Sequence, residues 1–151
     1  MTKQQIKEKL ERFFKIHELV CPHVYERFGE KAWDYFDIRL LETLLFIRTE
    51  LNMPMTVNNW KGGGMISRRG LRCNLCSEVK SKTYAYLSSH IFGKGIDFVV
   101  KGMTANAVRD WITKHQDKLP YPIRLEVGPK VTWVHLDVCN ETDKKIVYFN
   151  G

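Results

Sequence analysis

Residues 88–97 read SSHIFGKGID and run directly into FVV at 98–100. Two glycines, Gly93 and Gly95, lie between His90 and Asp97, and the apolar run IDFVV has the length and composition of a buried strand. A bend with two glycines followed by a strand is compatible with ordinary turn chemistry. It is equally compatible with a backbone folded tightly enough to aim an imidazole and a carboxylate at one ion. Spacing alone leaves both readings open, and the rest of the chain has to separate them.

Downstream the pattern is β. PIRLEV at 122–127 alternates, GPK at 128–130 turns, and VTWVHLDVC at 131–139 alternates again. In that last run Thr132, Val134, Leu136 and Val138 share one core-like face, while Val131, Trp133, His135, Asp137 and Cys139 share the other. His135 and Asp137 are therefore polar groups on a strand whose opposite side is apolar. With His90 and Asp97, His135 completes a set of two imidazoles and one carboxylate, suited to a catalytic zinc with an open fourth position.

Upstream the chain is helical. Ile6, Leu10, Phe13 and His17 predict an amphipathic helix over 3–17, VCPHVYERFG at 20–29 interrupts it, and a second helix is expected over 31–52, closed by Pro54. Leu40, Leu44, Ile47 and Leu51 form its stripe. From 53 to 87 periodicity fades into a long loop with three consecutive glycines and the arginine knot SRRGLRC at 67–73. A third helix is expected over 105–116, N-capped by Thr104, with Val108, Trp111 and Ile112 facing inward.

The length of 151 residues fits one domain, divided into a helical part (1–52) and a core (53–151). The 24 Lys+Arg against 17 Asp+Glu give +7, which favours anionic surroundings such as nucleic acid, lipid heads or an acidic cell wall. The charges are scattered, and no basic tract interleaves with aromatics, so a nucleic-acid partner is not expected. No secretory h-region and no membrane-span-length apolar run occurs; LLETLLF at 40–46 is broken by Glu42. Cys21, Cys73, Cys76 and Cys139 include one CxxC, which lacks a second ligand pair nearby in sequence, although Cys21 and Cys139, distant in sequence, could complete a structural zinc site in space. The plain expectation is free or buried thiols in a reducing compartment. His17, His23 and His115 lack partners at ligand spacing and read as surface or core residues.

SSHIFGKGID resembles the S-x-H-x-x-G-x-A-x-D signature of the D-Ala-D-Ala carboxypeptidase-type zinc peptidases, with Gly95 in place of the alanine, and WVHLDV at 133–138 resembles their second signature. The resemblance covers roughly residues 54–139. It implies an α+β fold of the hedgehog/D-Ala-D-Ala peptidase type: an antiparallel sheet packed with helices, carrying an N-terminal helical extension. It implies one catalytic Zn2+ on His90, Asp97 and His135, and hydrolysis of an amide in peptidoglycan stem peptides or cross-links, by carboxypeptidase or endopeptidase action. The family includes phage endolysins, so the expected protein is cytoplasmic at synthesis, phage- or virion-associated, and active on the bacterial wall.

Many relatives carry an acid three residues before the last histidine, where this chain has Thr132. Two general-base candidates remain, Glu126 and Asp137, with Glu126 preferred by resemblance. In a regular hairpin Glu126 would pair near Val131, about 13 Å of strand from His135, so a bulge or a shifted register is required. Asp137 has a milder reading, as a carboxylate that orients a ligand histidine. Substrate binding in the family uses an upstream arginine. Arg72, 18 residues before His90, is chosen over Arg68 and Arg69, and Ser88 matches the family serine. A domain that holds zinc without turnover is the alternative, and a basic nucleic-acid-binding protein with a zinc site at CNLC is a third reading.

Overall fold

The computed structural model describes residues 1–151. Its centre is a five-stranded sheet in the order β1-β2-β4-β3-β5. The strands are β1 (Met55–Thr56), β2 (Gly95–Val100), β3 (Ile123–Val127), β4 (Val134–Asp137) and β5 (Ile146–Asn150). β2 pairs antiparallel with β1 and β4, and β3 pairs antiparallel with β4. β5 lies parallel to β3, so the sheet is mixed where a purely antiparallel one was expected. The class is α+β.

Strand alternation divides the sheet into two chemistries. Ile96, Phe98, Leu125, Val134 and Leu136 are fully buried on one face, which belongs to an apolar core running unbroken from the first helix to β5. The register pairs Asp97 with His135 and Arg124 with Asp137, so the polar groups of three strands gather on the opposite face.

The helices are α1 (Lys3–Leu10), α2 (Pro22–Phe28), α3 (Ile38–Leu51), α4 (Ser77–Lys80) and α5 (Ala105–Lys114). α1 stops at Leu10, not at 17; Phe14 and Ile16 still reach the core, from a turn and a short 3-10 segment. The segment expected to interrupt the helices is itself α2, with Pro22 at its first position and Gly29 (φ +53°) at its end, both standard helix boundary residues. α3 begins seven residues later than its apolar stripe predicts. Residues Gly29–Tyr35 form a 3-10 segment instead, and Asp37 caps α3 through Oδ1 to the Arg39 amide at 2.9 Å. Asn52 in the left-handed region ends it, two residues before Pro54. Thr104 caps α5 as expected, accepting from the Ala107 amide at 3.1 Å.

The predicted strand over 131–139 is shortened to β4, and the β3–β4 connection is correspondingly longer than GPK. Arg109 of α5 explains why. Its buried guanidinium donates to the carbonyls of Trp133 (3.0 Å) and Val131 (3.2 Å), so these groups are satisfied without a neighbouring strand. The longer connection also resets the register: Leu125 pairs with Leu136, which brings Glu126 alongside His135 rather than Val131.

Candidate metal centre

His90 comes from the turn before β2, Asp97 from within β2, and His135 from β4. Their ligand atoms all lie within 4.8 Å of one another, and all three residues are buried. Gly93 makes the turn possible. Its φ is +66°, and a Cβ there would press on the Tyr35 carbonyl oxygen and the Phe36 Cα. Gly95 has a different reason. A Cβ at that position would collide with the Ser89 side chain, which fills the space an alanine methyl would occupy. The Ser89 carbonyl accepts from the amides of Lys94 (2.9 Å) and Gly95 (3.1 Å), closing the loop, and Ser88 Oγ accepts the His90 amide at 3.2 Å.

Each histidine is anchored by one ring nitrogen and presents the other. His90 Nδ1 donates to the Gly70 carbonyl at 2.9 Å, which leaves Nε2 facing Asp97 Oδ2 at 3.3 Å. His135 Nε2 donates to Asp137 Oδ2 at 3.0 Å and turns Nδ1 towards Asp97 Oδ1 at 2.6 Å. Asp137 is fully buried and gripped by Arg124 through two 2.8 Å bonds, with the Cys139 amide as a further donor. This places Asp137 behind His135, where it orients the ring and has no path to a water in the cleft. The carboxylate-oriented histidine is a recurrent arrangement around metal ions.

The two carboxylates stabilise positive charge on the imidazole between them. Burial alone would raise the Asp97 carboxyl, yet hydrogen bonds from His135 and His90, with their charges, hold it well below the usual carboxylate range. Burial opposes the His135 imidazolium, but Asp137 and Asp97 outweigh it and push the ring up to about 9. Burial also works against the Asp137 carboxylate, while His135, Arg124 and the Cys139 amide bring it down to about 2. Two ionised carboxylates thus flank one ring, and a divalent ion held between Asp97 and His135 Nδ1 would take the place of a proton. The donor set of two imidazoles and one carboxylate, with an open cleft beyond, is compatible with a metal ion.

That cleft has a volume of about 350 Å3, with Arg72, Glu126, Trp133 and Phe149 on its walls beside the three residues. A second hollow of about 310 Å3 adjoins it and shares Arg72, Asp97 and Trp133. Of the three arginines in the knot, only Arg72 turns towards the triad, with Nη2 3.7 Å from Asp97 Oδ2 and Nε donating to the Arg68 carbonyl at 2.6 Å. Arg68 instead pairs with Glu78 at 2.9 Å, and Arg69 contributes its carbonyl to the Asp97 amide at 2.7 Å. Phe149 meets His135 edge-on at 5.7 Å and carries the Arg124 guanidinium on its face at 4.6 Å. β5, which supplies Phe149, was not expected from the sequence, although IVYF at 146–149 has the β-branched and aromatic content of a strand.

The sequence offers His23 no partner at ligand spacing. In the structure its Nδ1 stands 3.8 Å from Cys76 Sγ, within a second group that also contains Cys21 and Cys73. Neither a protein-family model, nor a curated protein, nor a solved structure matches this chain. No helix is long and apolar enough to cross a membrane.

Proposed function

We propose that this chain is a zinc-dependent peptidase of the D-Ala-D-Ala carboxypeptidase type, with the hedgehog-type fold, acting on an amide in peptidoglycan stem peptides or cross-links. The observation that carries the reading is the convergence of His90, Asp97 and His135 at the floor of an open cleft with Arg72 and Glu126 on its walls. Both stretches that resemble the family's signatures supply ligands to this one point.

A bound zinc ion would supply Lewis acidity towards the scissile carbonyl and lower the pKa of the attacking water. The remaining work falls to the chain. Glu126 takes the proton of that water on its carboxylate and returns it to the leaving amine. The Arg72 guanidinium holds a peptide carboxylate or carbonyl beside the reacting bond, and its planar fork suits either. Asp137 keeps His135 in the tautomer that presents Nδ1, and Gly70 does the same for Nε2 of His90. Ser88 fixes the turn from which His90 projects. The adjoining hollow shares Arg72, Asp97 and Trp133 with the cleft and offers further room for a peptide, which favours cleavage within a cross-link.

A second reading, a domain of the same fold that holds zinc without turnover, is favoured by Thr132. It stands where relatives carry an acid, and it lines a different hollow, beside Arg109. Incubating zinc-loaded protein with defined muropeptides and weighing the products by mass spectrometry tests both. Release of amide-cleaved fragments, lost in Glu126→Gln with zinc retained, is the result expected of the peptidase. No cleavage across several wall chemotypes would overturn it in favour of the zinc-holding domain.

A further inference from the structure

The chain brings together a second set of metal-type donors, where the start of α2 meets the loop between β1 and β2. Cys21 sits at the N-terminal boundary of α2 and His23 in its first turn, while Cys73 and Cys76 flank a tight turn that leads into α4. The three sulfurs and an imidazole nitrogen all lie within 4.8 Å of one another. Cys21 Sγ and Cys73 Sγ are 3.8 Å apart, and so are Cys76 Sγ and His23 Nδ1. A tetrahedral zinc with Zn–S of about 2.3 Å requires S···S edges of about 3.8 Å and slightly shorter S···N edges. No disulfide is formed among them.

The backbone around the group is arranged to hold it. The Cys76 amide donates to the Cys73 carbonyl at 3.1 Å, and the Leu75 amide points at Cys73 Sγ at 3.4 Å, a donor aimed at a sulfur that carries charge when ionised. The two ligand-bearing segments are stitched together next door: the Cys21 amide donates to the Leu71 carbonyl at 3.0 Å, and the Leu71 amide to the Leu19 carbonyl at 2.9 Å. That approach requires a residue without a Cβ at position 70, because a methyl on Gly70 would drive into the Leu19 carbonyl. A pair of free thiols that met by chance would have neither the fourth donor nor this bracing.

We propose that Cys21, His23, Cys73 and Cys76 form a structural zinc site of the Cys3His type, separate from the His90–Asp97–His135 centre. Three thiolates and a neutral imidazole complete a closed tetrahedral shell with no position left for substrate, which is the arrangement of structural rather than catalytic zinc. Binding displaces the three thiol protons to solvent. The site ties the N-terminus of α2 to the loop that carries Gly70, whose carbonyl anchors His90, and Arg72, which is bonded to Cys73 in the chain. The ion is therefore placed to hold that loop against the helical part. This inference stands apart from the peptidase reading, since it makes no use of catalysis.

Metal content and cobalt spectroscopy on the full-length protein test it. Wild-type protein should carry two zinc ions per chain, His90→Ala/His135→Ala one, and Cys73→Ser one. Cobalt(II) in the wild type and in the double histidine variant should give the intense thiolate-to-cobalt charge-transfer absorption, lost in Cys73→Ser. Should Cys73→Ser fail to fold, wild-type protein still decides the matter. Its metal-loaded form should leave three of its four cysteines protected from iodoacetamide until a chelator is added. Absence of the charge-transfer band in fully reduced wild-type protein would overturn the proposal. So would a Cys21–Cys73 disulfide, seen as a mass lower by two hydrogens.

Discussion

Arg124 and Asp137 face each other across β3 and β4 in a two-pronged ion pair, with both contacts at 2.8 Å, and the Asp137 carboxylate so fixed accepts His135 Nε2–H at 3.0 Å. The chain from guanidinium to carboxylate to imidazole ends at the ring nitrogen that faces Asp97. Asp137→Asn preserves the shape of this relay but weakens its hold on the tautomer. It should lower zinc affinity at the triad by about 10- to 100-fold, the usual cost of losing a partner behind a ligand histidine. Competition with a chromophoric chelator measures this directly, and unchanged affinity would remove Asp137 from the relay.

Glu126→Gln should leave zinc content unchanged while lowering kcat by about 10²- to 10⁴-fold, the range for loss of a general base. The side chain is nearly isosteric, so a fall in metal content instead would mean that Glu126 supports the site rather than acting in it. Turnover on defined muropeptides, with metal analysis of the same sample, separates the two.

Arg72 offers a different signature. Arg72→Met removes a charged hydrogen-bond donor worth about 1.5–3 kcal/mol, so KM should rise by about 10- to 100-fold with kcat less affected. Arg72→Lys should recover only part of the loss, because a point charge cannot make the planar two-pronged contact. Equal kinetics for the lysine variant and wild type would argue against a bidentate grip.

Gly95 and Ser89 should be coupled. Gly95→Ala places a methyl against the Ser89 side chain and should destabilise the protein by about 1–3 kcal/mol, the range for overpacking. Combining it with Ser89→Gly clears the space, so the two changes should cost less together than the sum of each alone. Urea unfolding of the four proteins gives the coupling energy, and additivity would show that the collision is relieved elsewhere.

Asp37 gives an acid-sensitive contribution away from any metal ligand. The Arg39 side chain, helped by its amide, holds the Asp37 carboxyl below its ordinary 3.8 despite partial burial. Because the folded value is depressed, the ion pair's stabilisation is fully present above 3.8 and is lost as pH falls through the folded value. Asp37→Asn keeps a capping side chain, so its deficit relative to wild type should shrink as the pH is lowered past that point. A deficit constant with pH in urea titrations would mean that the cap alone matters.

The three candidate ligands were legible because His90 and Asp97 lie in one short stretch and His135 on a strand whose alternation is unmistakable. The position of Glu126 was not, because Arg109 satisfies the Val131 and Trp133 carbonyls from another element and so cuts the strand short. No local pattern announces a buried arginine of that kind. The cysteine group was legible only in part, as a CxxC that Cys21 could complete in space; His23 escaped because the donors come in two halves, 50 residues apart between His23 and Cys73, and its own half lies in a helix that its polar residues disguised. Pro22 followed by Gly29 was the available signal for that helix. The sheet's parallel edge depended on β5, which pairs with β3 only after the chain has crossed from β4.

Asp97 and His135 are ladder neighbours, whereas His90 hangs from a turn whose ring anchor, Gly70, lies twenty residues away in another segment. The centre therefore rests on two kinds of support: two of its teeth are set by the ladder of β2 and β4, and the third by a carbonyl of the long loop. Loosening that loop would free His90 while the Asp97–His135 pairing keeps its register.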